Sequence, residues 1–181
     1  MRTAYTGVRC NLKPERQSCT QIRLSETDLL TGLCNRNSYQ QKLETFSSMC
    51  NQVLSCVYVD VNGLHEMNNM RGHTAGDKML QFVGKILQRE FGERNSFRIG
   101  GDEFVALVTG EKEEVIQAKI DRVQVLIEEE SYHVSIGYSA GNTSETDISL
   151  LISTAENACM KQSSCFINKE ELTEVQEGDE R

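Results

Sequence analysis

The chain has 181 residues, a formal net charge of −8 and a hydrophobic content of 38%. This length and composition suit one globular domain with a core and short extensions, and they argue against a wholly disordered protein. The negative charge argues against a nucleic-acid-binding surface, and no apolar run approaches the ~20 residues that a membrane-spanning helix needs.

The seven cysteines are odd in number, and no two of them have CxxC spacing. This pattern indicates neither a zinc site nor a complete disulfide framework, and reduced thiols in a cytosolic chain are the simplest interpretation. The N-terminus has no apolar segment typical of a signal peptide. We therefore expect a cytoplasmic chain, and a membrane anchor elsewhere in a full-length protein would be compatible with it.

The hydrophobic periodicity predicts alternating helices and strands. They are, in chain order, a helix from near Arg36 capped by Asn35, a strand over residues 53–61, a helix over 73–91, a hairpin around 97–107, a helix over 111–130, a strand over 132–140, a helix capped by Asp147 and a short strand over 164–167. This order predicts an α/β (α+β) protein with a mixed central β-sheet flanked by helices.

The two ends of the chain differ from this pattern. Residues 1–27 contain the only proline and are predicted to be a linker or the remnant of one. Residues 169–181 carry six acidic residues against two basic ones and little apolar material. They are predicted to be a disordered, solvated tail, although a functional acidic tail would have the same composition.

Two groups of carboxylates are candidates for a functional site. Asp60 ends a strand predicted to be buried, where a carboxylate is costly unless it is paired or binds metal, although it would also suit the cap of a turn. Gly100, Gly101, Asp102 and Glu103 form the predicted hairpin tip. Glycine lets a ligand approach the backbone, and carboxylates with nucleotide phosphates suit Mg²⁺, although the same residues suit an ordinary surface turn. Since neighbouring strands lie ~4.8 Å apart, the two groups are expected to meet.

Four stretches carry a family resemblance. Residues 100–104 are GGDEF, and they follow residues 28–36 (DLLTGLCNR), 60–64 (DVNGL) and 72–77 (GHTAGD), the last preceded by Asn68. On these motifs residues 28–168 resemble a GGDEF domain of the diguanylate cyclase family. The resemblance implies a ferredoxin-like core of the nucleotidyl-cyclase and polymerase-palm type.

The resemblance also implies an activity. It is the condensation of two GTP into cyclic di-GMP with release of pyrophosphate, in bacterial second-messenger signalling. Each domain of the family holds one GTP, so catalysis would require a homodimer. The resemblance further implies an N-terminal sensory domain in the full-length protein, joined by a signalling helix whose remnant would lie in residues 1–27 and end at residues 21–27.

Site residues follow by resemblance from the matching motifs. The implied ligands of Mg²⁺ or Mn²⁺ are Asp60, the Val61 carbonyl, Asp102 and Glu103. Asp102 and Glu103 are also the implied catalytic residues, with Glu103 acting at the 3′-hydroxyl as metal ligand or general base. The implied substrate-binding residues are Gly63, Leu64 and His65 for the phosphates, Asn68 and Asp77 for guanine, and Gly100 and Gly101 at the hairpin. Taken alone, Asp77 would be interpreted as a solvated helix residue.

Three positions depart from the family pattern. His65, Ser163 and Ile167 stand where the family usually has Lys, Lys and Arg. Losing a charged phosphate contact costs on the order of 1.5–3 kcal/mol. Two hypotheses follow: a metal-dependent cyclase of weak activity, or a degenerate GGDEF module that binds GTP or a partner and acts only in regulation.

Overall fold

The computed structural model describes residues 26–47 and 51–178, with side chains as far as residue 165. These residues form five helices and four strands. In chain order they are α1 (Arg36–Ser47), β1 (Val53–Asn62), α2 (Leu64–Arg71), α3 (His73–Phe91), β2 (Ser96–Arg98), β3 (Glu103–Thr109), α4 (Glu113–Glu128), β4 (His133–Asn142) and α5 (Ile148–Gly178).

The four strands form one sheet in the order β2-β3-β1-β4. Strands β1 and β2, joined through α2 and α3, run in the same direction with the antiparallel β3 between them. Strands β3 and β4, joined through α4, also run in the same direction, with the antiparallel β1 between them. This βαββαβ arrangement is ferredoxin-like and confirms the predicted α+β class. The expected mixture of strand directions was wrong for neighbouring strands, because this interleaving makes each of the three hydrogen-bonded pairs antiparallel.

Both faces of the sheet are covered by helices. Along β1 the side chains alternate, and Val57 and Val59 pack in a core with α3 and α4. Cys56 and Tyr58 pack in a second core with α1 and α5. Strand β1 is thus central and buried on both faces, as its apolar sequence predicted. By the same alternation, Asp60 projects on the side of α1 and α5.

The predicted helix caps are confirmed. Asn35 Oδ1 accepts a hydrogen bond of 3.1 Å from the Ser38 amide at the start of α1. Asp147 Oδ1 accepts one of 2.8 Å from the Ser149 amide at the start of α5. These side chains satisfy amides that the first turn of a helix leaves without an intrahelical acceptor.

Helix α5 lies close against β4. An added Cβ at Gly137 would overlap the Ala155 carbonyl oxygen, so the helix backbone occupies the space of a side chain there. About two turns further along α5, Gln162 Oε1 accepts a 2.6 Å hydrogen bond from the Ile136 amide. This docking brings residues 159–163 to the end of β1.

Two elements differ from the prediction. Helix α2 was not predicted, because its eight residues are mostly polar and none is buried. The predicted strand over residues 164–167 was wrong, because α5 continues through it from its anchor on β4. The predicted tail boundary at Asn168 lies within α5, whose backbone is helical as far as Gly178. Residues 179–181 of that tail and 1–25 of the predicted linker lie outside the described residues.

None of the helices in the described residues combines the length and the apolar character that crossing a membrane requires.

Candidate active site

The hairpin between β2 and β3 brings its acidic tip to the end of β1. Asp60 and Glu103 face each other as directly paired residues of the β1–β3 ladder. The next amide, that of Val61, donates a 3.1 Å hydrogen bond to the Asp102 carbonyl. Asp60 is far in sequence from the adjacent pair Asp102 and Glu103, and the three acidic residues are therefore neighbours in space, as the strand and hairpin pattern predicted.

Asp60 lies in an electrostatically unfavourable position. Burial raises the pKa of Asp60, and the charges of Asp102 and Glu103 raise it further, while a hydrogen bond from Ser163 opposes them. None of these three acids takes part in the ion pairs found among the described residues. A set of oxygen donors with uncompensated negative charge fits a hard divalent cation, which prefers such ligands.

Glu103 is held by the strand beside it. The Tyr58 hydroxyl donates a 2.8 Å hydrogen bond to Glu103 Oε1, and an added Cβ at Gly100 would overlap Glu103 Oε2. Burial, and then this hydrogen bond, raise the pKa of Tyr58 well above its usual value, so the hydroxyl keeps its proton as a donor. In the described part of the chain, no three His, Cys, Asp or Glu side chains are arranged to hold a metal ion by themselves.

The hairpin tip is also fastened to the N-terminal motif. Arg98 donates to the Gly101 carbonyl from Nη2 at 2.6 Å and from Nε at 3.2 Å. Its Nη1 atom forms an ion pair with Asp28, which also accepts hydrogen bonds from the amide and hydroxyl of Thr31. The DLLTGLCNR stretch thus supports the tip, and nothing in the sequence pattern had indicated this contact.

The predicted phosphate-binding turn leads into α2. Gly63 has φ of 73° and precedes the helix, and Leu64 and His65 begin its first turn. The amides at a helix N-terminus have no intrahelical acceptor and favour anions. The His65 side chain is exposed.

The two residues predicted to contact guanine come from α2 and α3. An added Cβ at Gly76 would overlap Asn68 Oδ1, so the Asn68 amide lies directly on α3 beside the exposed Asp77. The structure brings the two residues together. Their binding roles stay predictions, as do the ligand roles of Asp60, Val61, Asp102 and Glu103.

Helix α5 adds a polar cluster that the sequence did not predict. Ser163 Oγ lies 3.3 Å from both Asp60 Oδ1 and Asn62 Oδ1, and Asn62 Nδ2 donates to Ser135 Oγ at 3.0 Å. Position 163, where a Lys was expected, therefore lies at the acidic site. The sequence offered one signal for this cluster. Tyr58 and Asn62 lie two residues before and two residues after Asp60, so all three side chains share one face of the strand.

Comparison with known proteins decides the family. The family model described as the GGDEF domain of diguanylate cyclases matches residues 25–164. The chain belongs to the GGDEF family. That span contains all the acidic and substrate-binding residues predicted from the sequence.

The curated relatives include proteins named as diguanylate cyclases and proteins named as cyclic di-GMP phosphodiesterases. The cyclic di-GMP phosphodiesterase PdeB of Shewanella oneidensis is 33% identical over 144 residues, which are 74% of this chain and 17% of PdeB. The diguanylate cyclase DgcS of the same organism is 36% identical over 87 residues, which are 46% of this chain and 29% of DgcS. The chain thus spans less than a third of either relative.

A solved GGDEF structure supports the fold. The crystal structure of the coiled coil and GGDEF domain of DgcB from Caulobacter crescentus, in complex with c-di-GMP, superposes with a TM-score of 0.72 at 20% identity. The match covers 80% of this chain and 84% of that one. It confirms the palm-like cyclase core predicted from the sequence.

Proposed function

We propose that this GGDEF domain is a diguanylate cyclase, which condenses two GTP into one cyclic di-GMP and releases two pyrophosphates. The observation that carries the proposal is the convergence of Asp60, Asp102 and Glu103 at one end of the sheet. A bound divalent cation would relieve the mutual repulsion of these carboxylates and could bind a triphosphate at the same place.

The reaction needs little covalent chemistry from the protein. In each of two steps a 3′-hydroxyl attacks an α-phosphate, and the bond to pyrophosphate breaks. Asp60, Asp102 and the Val61 carbonyl would hold Mg²⁺ or Mn²⁺, which stabilises charge on the triphosphate. Glu103 would act at the 3′-hydroxyl, as ligand or as the base that takes its proton.

The substrate would be positioned by α2, α3 and the hairpin tip. The amides at the start of α2 would bind phosphate oxygens. Asn68 and Asp77 would pair with guanine, because a carboxylate accepts from its N1–H and amine while an amide both donates and accepts. A second copy of the domain would supply the other GTP, so we propose a homodimer. An N-terminal sensory domain in the full-length protein would control how the two copies meet.

Product analysis tests the proposal. Protein at high concentration, incubated with GTP and Mn²⁺, is expected to form cyclic di-GMP and pyrophosphate, detected by mass. Asp102→Asn is expected to lose the product, and the control Asp121→Asn removes the same charge from the exposed part of α4 and is expected to keep it. Absence of product at every protein concentration would contradict the cyclase function.

A second candidate is a regulatory module that binds GTP without turning it over. One observation favours it: Ser163, rather than a cation, lies beside Asp60. Calorimetry separates the two functions. Saturable, Mg²⁺-dependent GTP binding without product supports the regulatory module, and comparable affinity for ATP would contradict the proposed guanine contacts.

A further inference from the structure

Tyr58 is a polar residue beside the candidate site to which the proposed cyclase reaction assigns no role. Its side chain is 5% exposed and belongs to the core between the sheet, α1 and α5. Tyr58 is paired with Val105 across the β1–β3 ladder, so Glu103 lies on the diagonal, two residues nearer the hairpin tip. Long side chains reach such diagonal neighbours on the same sheet face.

The contact fixes the direction of the Glu103 carboxylate. The Tyr58 hydroxyl binds Oε1 at 2.8 Å, while Oε2 lies against Gly100, where an added Cβ would overlap it. A glutamate at a hairpin tip otherwise has several rotamers available. The tyrosine ring is rigid and packed, so its hydroxyl is a fixed donor for one oxygen and leaves the other to face the tip.

We propose that Tyr58 is a positioning residue, which orients Glu103 so that Oε2 is presented to the 3′-hydroxyl and the metal ion. This inference rests on the proposed cyclase function. Tyr58 acts through Glu103 and does not itself contact substrate. Its loss therefore affects turnover and metal binding, whereas GTP affinity is set by the residues that contact guanine and phosphate.

The test variant is Tyr58→Phe, which removes the hydroxyl and keeps the packed ring. The matched control is Tyr138→Phe, because the Tyr138 hydroxyl is buried and has no hydrogen-bond partner within the described residues. Thermal unfolding of both variants checks that the fold is retained. The readouts are kcat, KM for GTP, and Mn²⁺ binding followed by electron paramagnetic resonance in the presence of a non-hydrolysable GTP analogue.

We expect Tyr58→Phe to lower kcat roughly tenfold, the value of one hydrogen bond to a charged group. KM for GTP is expected to change by less than about twofold, and Mn²⁺ binding to weaken. Tyr138→Phe is expected to match the unmodified domain. In a Glu103→Ala background, Tyr58→Phe is expected to have no further effect, because the hydroxyl then has no carboxylate to orient. Gly100→Ala, which displaces Oε2 from the other side, is expected to reproduce the fall in kcat.

The outcomes separate this inference from the cyclase function. Product formation with equal kcat in Tyr58→Phe overturns the positioning role and leaves the cyclase intact, as does an additive effect in the Glu103→Ala background. Weaker Mn²⁺ binding in Tyr58→Phe, with no product from any form, supports the positioning role and overturns the cyclase. Unmodified protein that neither binds Mn²⁺ nor forms product overturns both.

Discussion

Arg98 Nη1 lies 3.1 Å from Asp28 Oδ1, and the same guanidinium also binds the Gly101 carbonyl. One side chain therefore joins the N-terminal motif to the hairpin tip. Backbone hydrogen bonds run beside it, since the Cys34 amide donates to the Ser96 carbonyl and the Arg98 amide donates to the Cys34 carbonyl. The tip is thus held from the side on which the chain enters the domain.

Arg98→Lys should weaken this connection. Lysine keeps the charge but cannot bind Asp28 and Gly101 through a rigid fork. We expect the free energy of unfolding to fall by about 1–2 kcal/mol, a value reduced because the pair is partly exposed. Urea denaturation at pH 7 measures the change. Arg89→Lys, at an exposed arginine that pairs with Glu90, is the control, and an equal loss in both variants would contradict the role of Arg98.

The stability supplied by Asp28 should depend on pH. Burial alone would raise the pKa of Asp28, but hydrogen bonds from Thr31 and the charge and hydrogen bond of Arg98 outweigh it and hold the pKa below the ordinary value of 3.8. The unfolded state therefore binds the proton more readily. We expect Asp28→Asn to melt lower than the unmodified domain above pH 3.8. This difference in melting temperature should vanish as the pH falls through the folded pKa. A difference in melting temperature that is constant from pH 7 to pH 2.5 would rule this out.

Asp60→Asn should change stability in the opposite direction to Asp28→Asn. The folded pKa of Asp60 is raised by burial and by the charge of Asp102, so the folded state binds the proton more readily and ionisation costs stability as the pH rises. In the presence of a chelator we expect Asp60→Asn to melt higher than the unmodified domain at pH 7. The advantage should shrink toward pH 4. A lower melting temperature of the variant at pH 7 would show that Asp60 is stabilised by its surroundings.

Gly76→Ala should weaken GTP binding. A methyl group at this position overlaps Asn68 Oδ1 and displaces the amide predicted to contact guanine. We expect GTP affinity to fall roughly tenfold, as for the loss of one polar contact to the base. Gly84→Ala makes the same change in the same helix, where the added Cβ meets Thr31 instead. Calorimetry with both variants gives the comparison, and equal affinities would remove Asn68 from the site.

Ser163→Lys should raise activity. The hydroxyl of Ser163 lies 3.3 Å from Asp60, so an ammonium group on this side chain would reach the acidic site. We expect kcat/KM for GTP to rise roughly tenfold, because a cation stabilises departing pyrophosphate more than bound substrate. Ser164→Lys adds the same charge at the neighbouring exposed position of α5. A similar gain from both variants would indicate a general charge effect.

The sequence predicted the elements whose signals are local. The run of Val, Leu and Tyr predicted β1, two glycines between apolar runs predicted the hairpin, and Asn35 and Asp147 predicted two helix starts. Together they predicted that Asp60 and Asp102 would be neighbours. Helix α2 is short and mostly polar, with Leu64 and Met67 only partly buried against the core, so its pattern gave little signal. The side-chain amide of Gln162 is hydrogen-bonded to β4, and α5 continues through residues that were predicted to be a strand.

The contacts that orient the site could not be predicted in the same way. The bonds from Tyr58 to Glu103 and from Ser163 to Asp60 join residues 45 and 103 positions apart. They depend on strand register and on how closely a helix approaches the sheet, and neither quantity has a local signal. The family pattern indicated that position 163 matters, but not that a serine there would bind Asp60.

Gly137 makes the acidic site sensitive to a mutation in a residue that binds nothing. Any side chain there would push against the Ala155 carbonyl and lift α5 from β4, and Ser163 would move away from Asp60 with the helix. If variants are scored separately for protein abundance and for signalling output, substitutions at Gly137 should therefore reduce output while abundance stays nearly unchanged. A map of harmful positions drawn on this domain would extend along the contact between α5 and β4, well beyond the proposed nucleotide site.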